Sequence, residues 1–359
     1  MVIVNPLGML RACRPRALAL ILGVSAAHAA MGQAAATGPA TQPGAAPEPS
    51  AVETIRRDAQ SLAPLVESEL ARRFLAATAQ LPSIAPRSVY RDDATRTYYS
   101  KAAADRLSDD ARGKLTERTI DERVYYNTKY GSPLAYVRPL DLLARAGMSD
   151  VRGKRILDFG YGTIGHLRLL ASLGGDVVGV DVDSLLTAIY SEPADVGIIK
   201  GPGGAEGRIT LVDGRFPADE ASKAAVGDGY DLIISKNTLK NGYIHPERPT
   251  DPRKLIDLGV DDETFVRSLY NILKPGGRVQ VYNLCPAPAP PDKEYIPWAD
   301  GRSPFSRALW ESAGFRVLAF DEPDDTAARA MGHALGWDSG PSPMNLENDL
   351  FGLYTLVEK

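Results

Sequence analysis

Residues 155–181 read RILDFGYGTIGHLRLLASLGGDVVGVD. A short apolar run, Ile156-Leu157, closes on Asp158. A turn with Gly160, Gly162 and Gly165 follows, then apolar residues at helical spacing (Ile164, Leu167, Leu170, Ala171), then a second run, Asp176 to Val180, that ends on Asp181. The pattern predicts strand, tight turn, helix, strand and acid, a unit that holds a nucleotide-type cofactor in a doubly wound α/β fold. Glycine lets the backbone approach a ligand, and a helix N-terminus offers unpaired N–H groups. A carboxylate at the end of the second strand suits a ribose diol, because it accepts two hydroxyl hydrogen bonds. Spacing alone leaves a dinucleotide open: Gly160-x-Gly162-x-x-Gly165 with an acid about 20 residues on fits that site too.

Asp158 points elsewhere. A carboxylate just ahead of the first glycine repels a pyrophosphate and suits a cofactor with an ammonium group. On these residues the chain resembles the class I S-adenosylmethionine-dependent methyltransferases, whose first motif begins with an acid and continues glycine-x-glycine, as Asp158-Phe-Gly-Tyr-Gly162 does. That family often has a third glycine two residues on; here Ile164 stands there and Gly165 comes one later. The resemblance implies S-adenosylmethionine as cofactor. Asp158 would face its ammonium and sulfonium side, Gly160, Gly162 and Gly165 would line its backbone cradle, Asp181 would hold the ribose diol, and Asp213 or the backbone beside it would meet the adenine amine.

Further runs read as strands: Arg208 to Val212 ending on Asp213, Tyr230 to Ser235, Arg278 to Tyr282, Phe315 to Phe320 and a closing Leu350 to Val357. Residues 191–207, rich in glycine with two prolines, read as a loop. Asp261 and Asp262 cap a helix that ends at Leu273-Lys-Pro-Gly-Gly277, a helix stop and tight turn into a strand. In the resembling family this helix, L-K-P-G-G, strand sequence is a hallmark, and the last strand inserts antiparallel into a seven-stranded, mostly parallel sheet. The resemblance covers about residues 126–359 and implies that Rossmann-like fold.

In open α/β sheets ligands bind beyond the carboxyl ends of the strands. The segment from Lys236 to Pro246 therefore stands where cofactor and methyl acceptor meet. Its polar residues Lys236, Asn237, Lys240, Tyr243 and His245 are candidates, with Lys236 and His245 put forward as catalytic. His245 suits a general base because an unperturbed imidazole titrates near neutrality; beside Pro246 it also reads as a turn residue. His166, on the first helix, reads as a surface residue, with the cofactor site as the other option. Residues 285–304, proline-rich with Tyr295 and Trp298, read as a wall over the substrate or as a rigid surface connection.

The chain starts with a basic region (Arg11, Arg14, Arg16), an apolar run from Ala17 to Val24 and an Ala27-His28-Ala29 cleavage pattern. This predicts a secretory signal over residues 1–29 and a periplasmic or secreted protein, cytoplasmic only if the start site is misassigned. The run is too short to span a bilayer, which takes about 20 residues, so no stable membrane span is expected after cleavage. Residues 30–50 read as a disordered linker. Residues 51–125 read as a helical N-terminal extension, with Val52 to Leu81 broken at Pro64 and a second helix over Ala102 to Val124. Tyr126 or Tyr130 is placed to close over the cofactor, against plain core packing for the tyrosines.

The net charge of −4 and the absence of a basic run argue against nucleic acid as a partner. Few histidines and two cysteines in the whole chain argue against a transition-metal site. A small-molecule acceptor is expected; oligomeric state is not readable. Two other readings stay open: an exported, non-catalytic binding or scaffold protein on a methyltransferase-like fold, and a nicotinamide-dependent oxidoreductase.

Overall fold

A computed structural model describes residues 49–359. The expected signal segment and the linker up to residue 48 lie outside the described residues; Ser50, assigned to the linker, instead caps the first helix by accepting from the Glu53 N–H at 3.1 Å.

The N-terminal extension is not wholly helical. Helices Ala51–Leu62 and Glu69–Ala76 flank a short turn carrying Pro64, as expected of a proline at that position. A three-stranded antiparallel sheet follows, made of β1 (Arg87–Asp92), β2 (Tyr98–Ser100) and β3 (Leu115–Ile120) in the order β2-β1-β3. The expected helix over 102–124 breaks into two single turns, β3 and the helix Glu122–Asn127. Ser108 caps one turn and Gly113 ends it, and Thr116 and Thr119 are β-branched. The middle of β3 is exposed, so it carries no burial alternation to read.

The main sheet is built from β4 (Arg155–Phe159), β5 (Asp176–Asp181), β6 (Gly197–Lys200), β7 (Glu206–Asp213), β8 (Tyr230–Lys236), β9 (Leu273–Cys285), β10 (Arg316–Pro323) and β11 (Phe351–Glu358). The order is β10-β11-β9-β8-β4-β5-β7-β6. β4, β5, β7, β8 and β9 run parallel, and the closing strand β11 inserts antiparallel between β9 and β10, as expected. The sheet has eight strands rather than seven. β6 lies in the stretch read as a loop and pairs antiparallel with β7 at the edge. Lys274–Gly277, read as a turn, falls inside β9, where the register against β8 slips and Gly276 takes φ +74°.

Both faces of the sheet are covered, which is why its parallel strands are continuously apolar. Ile156 and Ile234 pack on one face with the extension residues Leu70 and Phe74. Their neighbours Leu157 and Ile233 pack on the other with Phe265 and Trp310. The extension thus shares a core with the sheet. A buried ion network fastens the same junction. Arg138 donates from both Nε (2.8 Å) and Nη2 (2.6 Å) to the Asp324 carboxylate, and from Nη1 to Asp141 (3.1 Å).

Among the described residues no helix is long and apolar enough to cross a membrane, and no group of three or more His, Cys, Asp or Glu could hold a metal ion.

Candidate active site

Strands β4 and β8 are neighbours from which the chain winds in opposite directions, to β5 and β7 on one side and to β9 on the other. Ligands bind at such a switch point, beyond the carboxyl ends of the strands. A cavity of about 510 Å³ opens there, within the usual range for small-ligand sites. Its walls come from the turn after β4 (Gly160–Thr163), the end of β5 (Asp181–Asp183), Gly214 to Phe216 after β7, and Lys236 to Lys240 after β8.

Asp181 is held by three backbone donors: Gly162 N (3.2 Å), Val182 N (2.8 Å) and Asp183 N (3.0 Å). Burial outweighs these bonds and pushes its carboxyl up to about 6. Asp183, two residues on, accepts from the Tyr130 hydroxyl (2.6 Å) and Lys129 Nζ (2.7 Å). Burial would raise it, but those bonds win and hold it below the ordinary carboxylate range. Val182 between them is 63% exposed, an apolar side chain left open on the cavity wall.

Tyr130 lines the cavity, whereas Tyr126 is buried and donates to the Pro82 carbonyl at 2.6 Å. A Cβ on Gly162 would stand 2.7 Å from Tyr130 Cβ, and one on Gly160 would stand 2.3 Å from Thr238 Oγ1. Both glycines have positive φ, +58° at Gly162 and +76° at Gly160. Their freedom therefore admits the protein's own side chains, where the sequence suggested a ligand. Gly162→Ala is expected to lower stability by about 2 kcal/mol through the left-handed backbone and the contact with Tyr130; a thermal melt beside wild type checks it, and an unchanged midpoint would show that the Tyr130 strap moves aside freely.

Three of the expected cofactor residues do not line the cavity. Gly165 is covered by Pro133, whose Cβ would lie 2.8 Å from an added methyl. Asp213 is exposed and stands off the wall, which here is formed by the backbone after it. Asp158 is 1% exposed and is bonded through Oδ2 to His166 Nε2, while its Oδ1 and the His166 Nδ1 have no partner. His166 is fully buried, not on the surface, and its ring stacks on Tyr136 at 3.6 Å. Burial, against the pull of Asp158, holds its pKa below the usual imidazole value, so it donates from Nε2–H as a neutral ring. Tyr136 and Lys236, the neighbours of this buried pair, do reach the cavity.

Strand β8 delivers Lys236, and the chain turns at once through Asn237 at φ +61°, a conformation asparagine tolerates. Asn237 fixes the turn by accepting from Leu284 N at 2.7 Å. Lys236 is 8% exposed and burial lowers it to about 8, with Asp158 pulling the other way. Lys240 is 1% exposed, donates to the carbonyls of Leu284 (2.6 Å) and Trp298 (3.0 Å), and burial lowers it to about 7. Tyr243 completes this wall, its hydroxyl raised to about 12 by burial.

His245 is not brought to the cavity. The turn Asn241–Ile244 carries it away, and it pairs with Asp262 at 2.9 Å in an exposed position. Of the proline-rich segment, Trp298 lines the cavity, while Tyr295 lines a second one. Val182, Lys129, Arg215 and the stretch from Leu255 to Leu258 also belong to the site and were not singled out in the sequence. Only Val182, an apolar residue directly after the strand-end acid, left a signal that could have been used.

No family model and no curated protein matches the sequence. Several hundred solved chains match in structure. They include the phosphoethanolamine N-methyltransferase 2 of Haemonchus contortus (14% identity, 81% of this chain and 75% of that one, TM-score 0.38). An S-adenosylmethionine-dependent methyltransferase of Mesorhizobium loti matches at 15% identity, over 61% of this chain and 96% of that one, with a TM-score of 0.34. The [4+2]-cyclase SpnF matches at 15% identity, over 87% and 96%, with a TM-score of 0.36. None of these likenesses is close enough to transfer a substrate or a residue's role.

Proposed function

We propose that this chain is an S-adenosylmethionine-dependent methyltransferase acting on a small molecule. The observation that carries the reading is the state of the glycine turn. The N–H groups of Gly160, Gly162 and Thr163 are already bonded, to Val180 O (2.9 Å), Asp181 Oδ2 (3.2 Å) and Tyr161 O (2.5 Å). A dinucleotide needs such donors for its pyrophosphate; these three are spent, and Tyr130 lies over the turn. A single nucleoside needs only the diol acceptor, which Asp181 supplies, and an apolar face, which Val182 and Phe216 supply. Asp158 lies behind the wall formed by Lys236 and Tyr136, and its charge acts on Lys236.

S-adenosylmethionine would supply an electrophilic methyl on a sulfonium, and the protein's task is then alignment and exclusion of water. Asp181 would hold the ribose, Tyr130 would close the site with its hydroxyl anchored on Asp183, and Lys236 and Tyr243 would stand on the acceptor side. Of the two residues put forward as catalytic, Lys236 stands on the cavity wall and His245 does not. Export rests on the pattern in residues 1–29.

The test is a calorimetric titration of the full chain with S-adenosylhomocysteine and, separately, NADH. Micromolar binding of the first and none of the second is expected; the reverse preference would overturn the reading in favour of the oxidoreductase. Binding of neither by folded protein would leave a non-catalytic scaffold.

A further inference from the structure

Six basic side chains line the cavity, and four of them are already matched to carboxylates. Lys129 pairs with Asp183 (2.7 Å), Arg215 with Asp257 (3.0 Å), Arg253 with Asp251 (2.5 Å) and Lys254 with Glu294. Lys236 and Lys240 are the exceptions, and they are the two most buried. Neither has a carboxylate within 4 Å among the described residues. Asp158 is turned to His166, and Asp300, the acid nearest in charge to Lys240, is taken up by Arg302 (2.7 Å) and Asn241 (2.7 Å). Lys236 donates no hydrogen bond among the described residues, and Lys240 uses two of its three donors on carbonyls.

Two ammonium groups with no carboxylate in contact, set in one apolar wall, are costly, and Asp158 and Asp300 offset that only from a distance. A structural role accounts for them poorly. Lys240 as a strut between two carbonyls needs no charge, and Lys236 as a counter-ion to Asp158 would be expected to touch it. We propose, building on the methyltransferase reading, that Lys236 and Lys240 together bind an oxyanion, a carboxylate or phosphate monoester, on the methyl acceptor. The wall beside them carries Tyr243, Ile256 and Trp298, so the acceptor is a small amphipathic acid: one oxyanion on an apolar or aromatic body. Burial has lowered both amines, Lys236 to about 8 and Lys240 to about 7, and an arriving anion draws both back to the charged form.

The experiment uses the full chain saturated with S-adenosylhomocysteine. Benzoate is titrated against its neutral partner benzamide, and phenyl phosphate against benzyl alcohol. At least one anion is expected to bind tenfold or more tighter than its neutral partner, and the tighter of the two identifies the oxyanion. Lys236→Met is expected to abolish the preference, and Lys240→Met likewise. Lys236→Met leaves no carbonyl unpaired and so decides the matter even if Lys240→Met, which strips two carbonyls of their donor, fails to fold. Equal binding of charged and neutral probes, no binding of either anion, or a preference that survives Lys236→Met overturns the proposal. If S-adenosylhomocysteine binds but the anions do not, this inference alone falls; if S-adenosylhomocysteine itself does not bind folded protein, the methyltransferase reading falls with it.

Discussion

Replacing Asp181 by alanine is expected to weaken S-adenosylhomocysteine binding at least 30-fold at pH 7.5. A carboxylate that accepts two hydroxyl hydrogen bonds contributes about 1.5–3 kcal/mol per charged bond against water, and here the same group also holds the turn. Its loss strips Gly162 N, Val182 N and Asp183 N of their acceptor. The pH dependence separates the two roles. Burial lifts Asp181 to about 6, and a diol is best held by the ionised form. Below pH 6 a proton must leave for each ligand bound, so the dissociation constant should rise about fivefold as pH falls from 6 to 5 and stay nearly flat from 7 to 8. Asp183 sits low and remains ionised across this range. Asp181→Asn should bind more weakly and show no inflection near 6. Calorimetric titrations at pH 5, 6, 7 and 8 on wild type and Asp181→Asn provide the check. A wild-type profile flat from pH 5 to 8 would remove Asp181 from the ligand's contacts.

How much of this was legible beforehand depended on whether a feature was local. The β4-turn-β5 unit and the strand-end positions of Asp181 and Lys236 follow from period, glycine placement and element order, all of which lie along the chain, whereas the antiparallel insertion of β11 came only with the family resemblance. β6 was missed because Gly197-Ile-Ile-Lys200 is only four residues long among glycines and prolines, too short for alternation to register. β1 and β3 were missed because β1 is half-buried with only Val89 in the core and β3 is mostly exposed, so neither shows an alternating apolar face. His166 was misread for a different reason. A histidine among apolar helix residues looks like a surface position until a tertiary partner is known, and its partners, Asp158 and Tyr136, lie 8 and 30 positions away. The trace that existed was Asp158 itself, since a carboxylate inside an apolar strand needs a donor. His245 follows the strand that feeds the site, but a single turn of helix carries it off, which no spacing rule anticipates.

The largest loss of stability is expected at a residue outside the site. Arg138 is 7% exposed, and its guanidinium serves two carboxylates that are themselves buried, Asp324 at 8% and Asp141 at 0%. Each carboxylate ties in a further element. Asp324 accepts from the Tyr282 hydroxyl of β9 at 3.0 Å. Asp141 accepts from the backbone N–H groups of Ser68 (2.7 Å) and Glu67 (3.2 Å), just ahead of the helix Glu69–Ala76. One cation thus joins the N-terminal extension to the central sheet. Arg138→Met keeps most of the side chain's volume and strands two buried carboxylates, a change expected to cost about 3–5 kcal/mol. The charge, not the lost packing, is the cause, so Arg138→Met with Asp324→Asn should recover part of the loss, whereas two independent sites would add. Urea unfolding of the wild type, both single variants and the double variant measures the coupling. The network also reaches the site indirectly, because Tyr282 is the register partner of Lys236 across β8 and β9 and its carbonyl accepts from Asn237 N at 3.0 Å. A folded Arg138→Met protein should therefore lose affinity for the anionic probes before it loses S-adenosylhomocysteine, whose proposed acceptor Asp181 ends β5. An Arg138→Met variant as stable as wild type would mean that the two carboxylates find water or protons at no cost, and that the extension is held to the sheet by apolar contact alone.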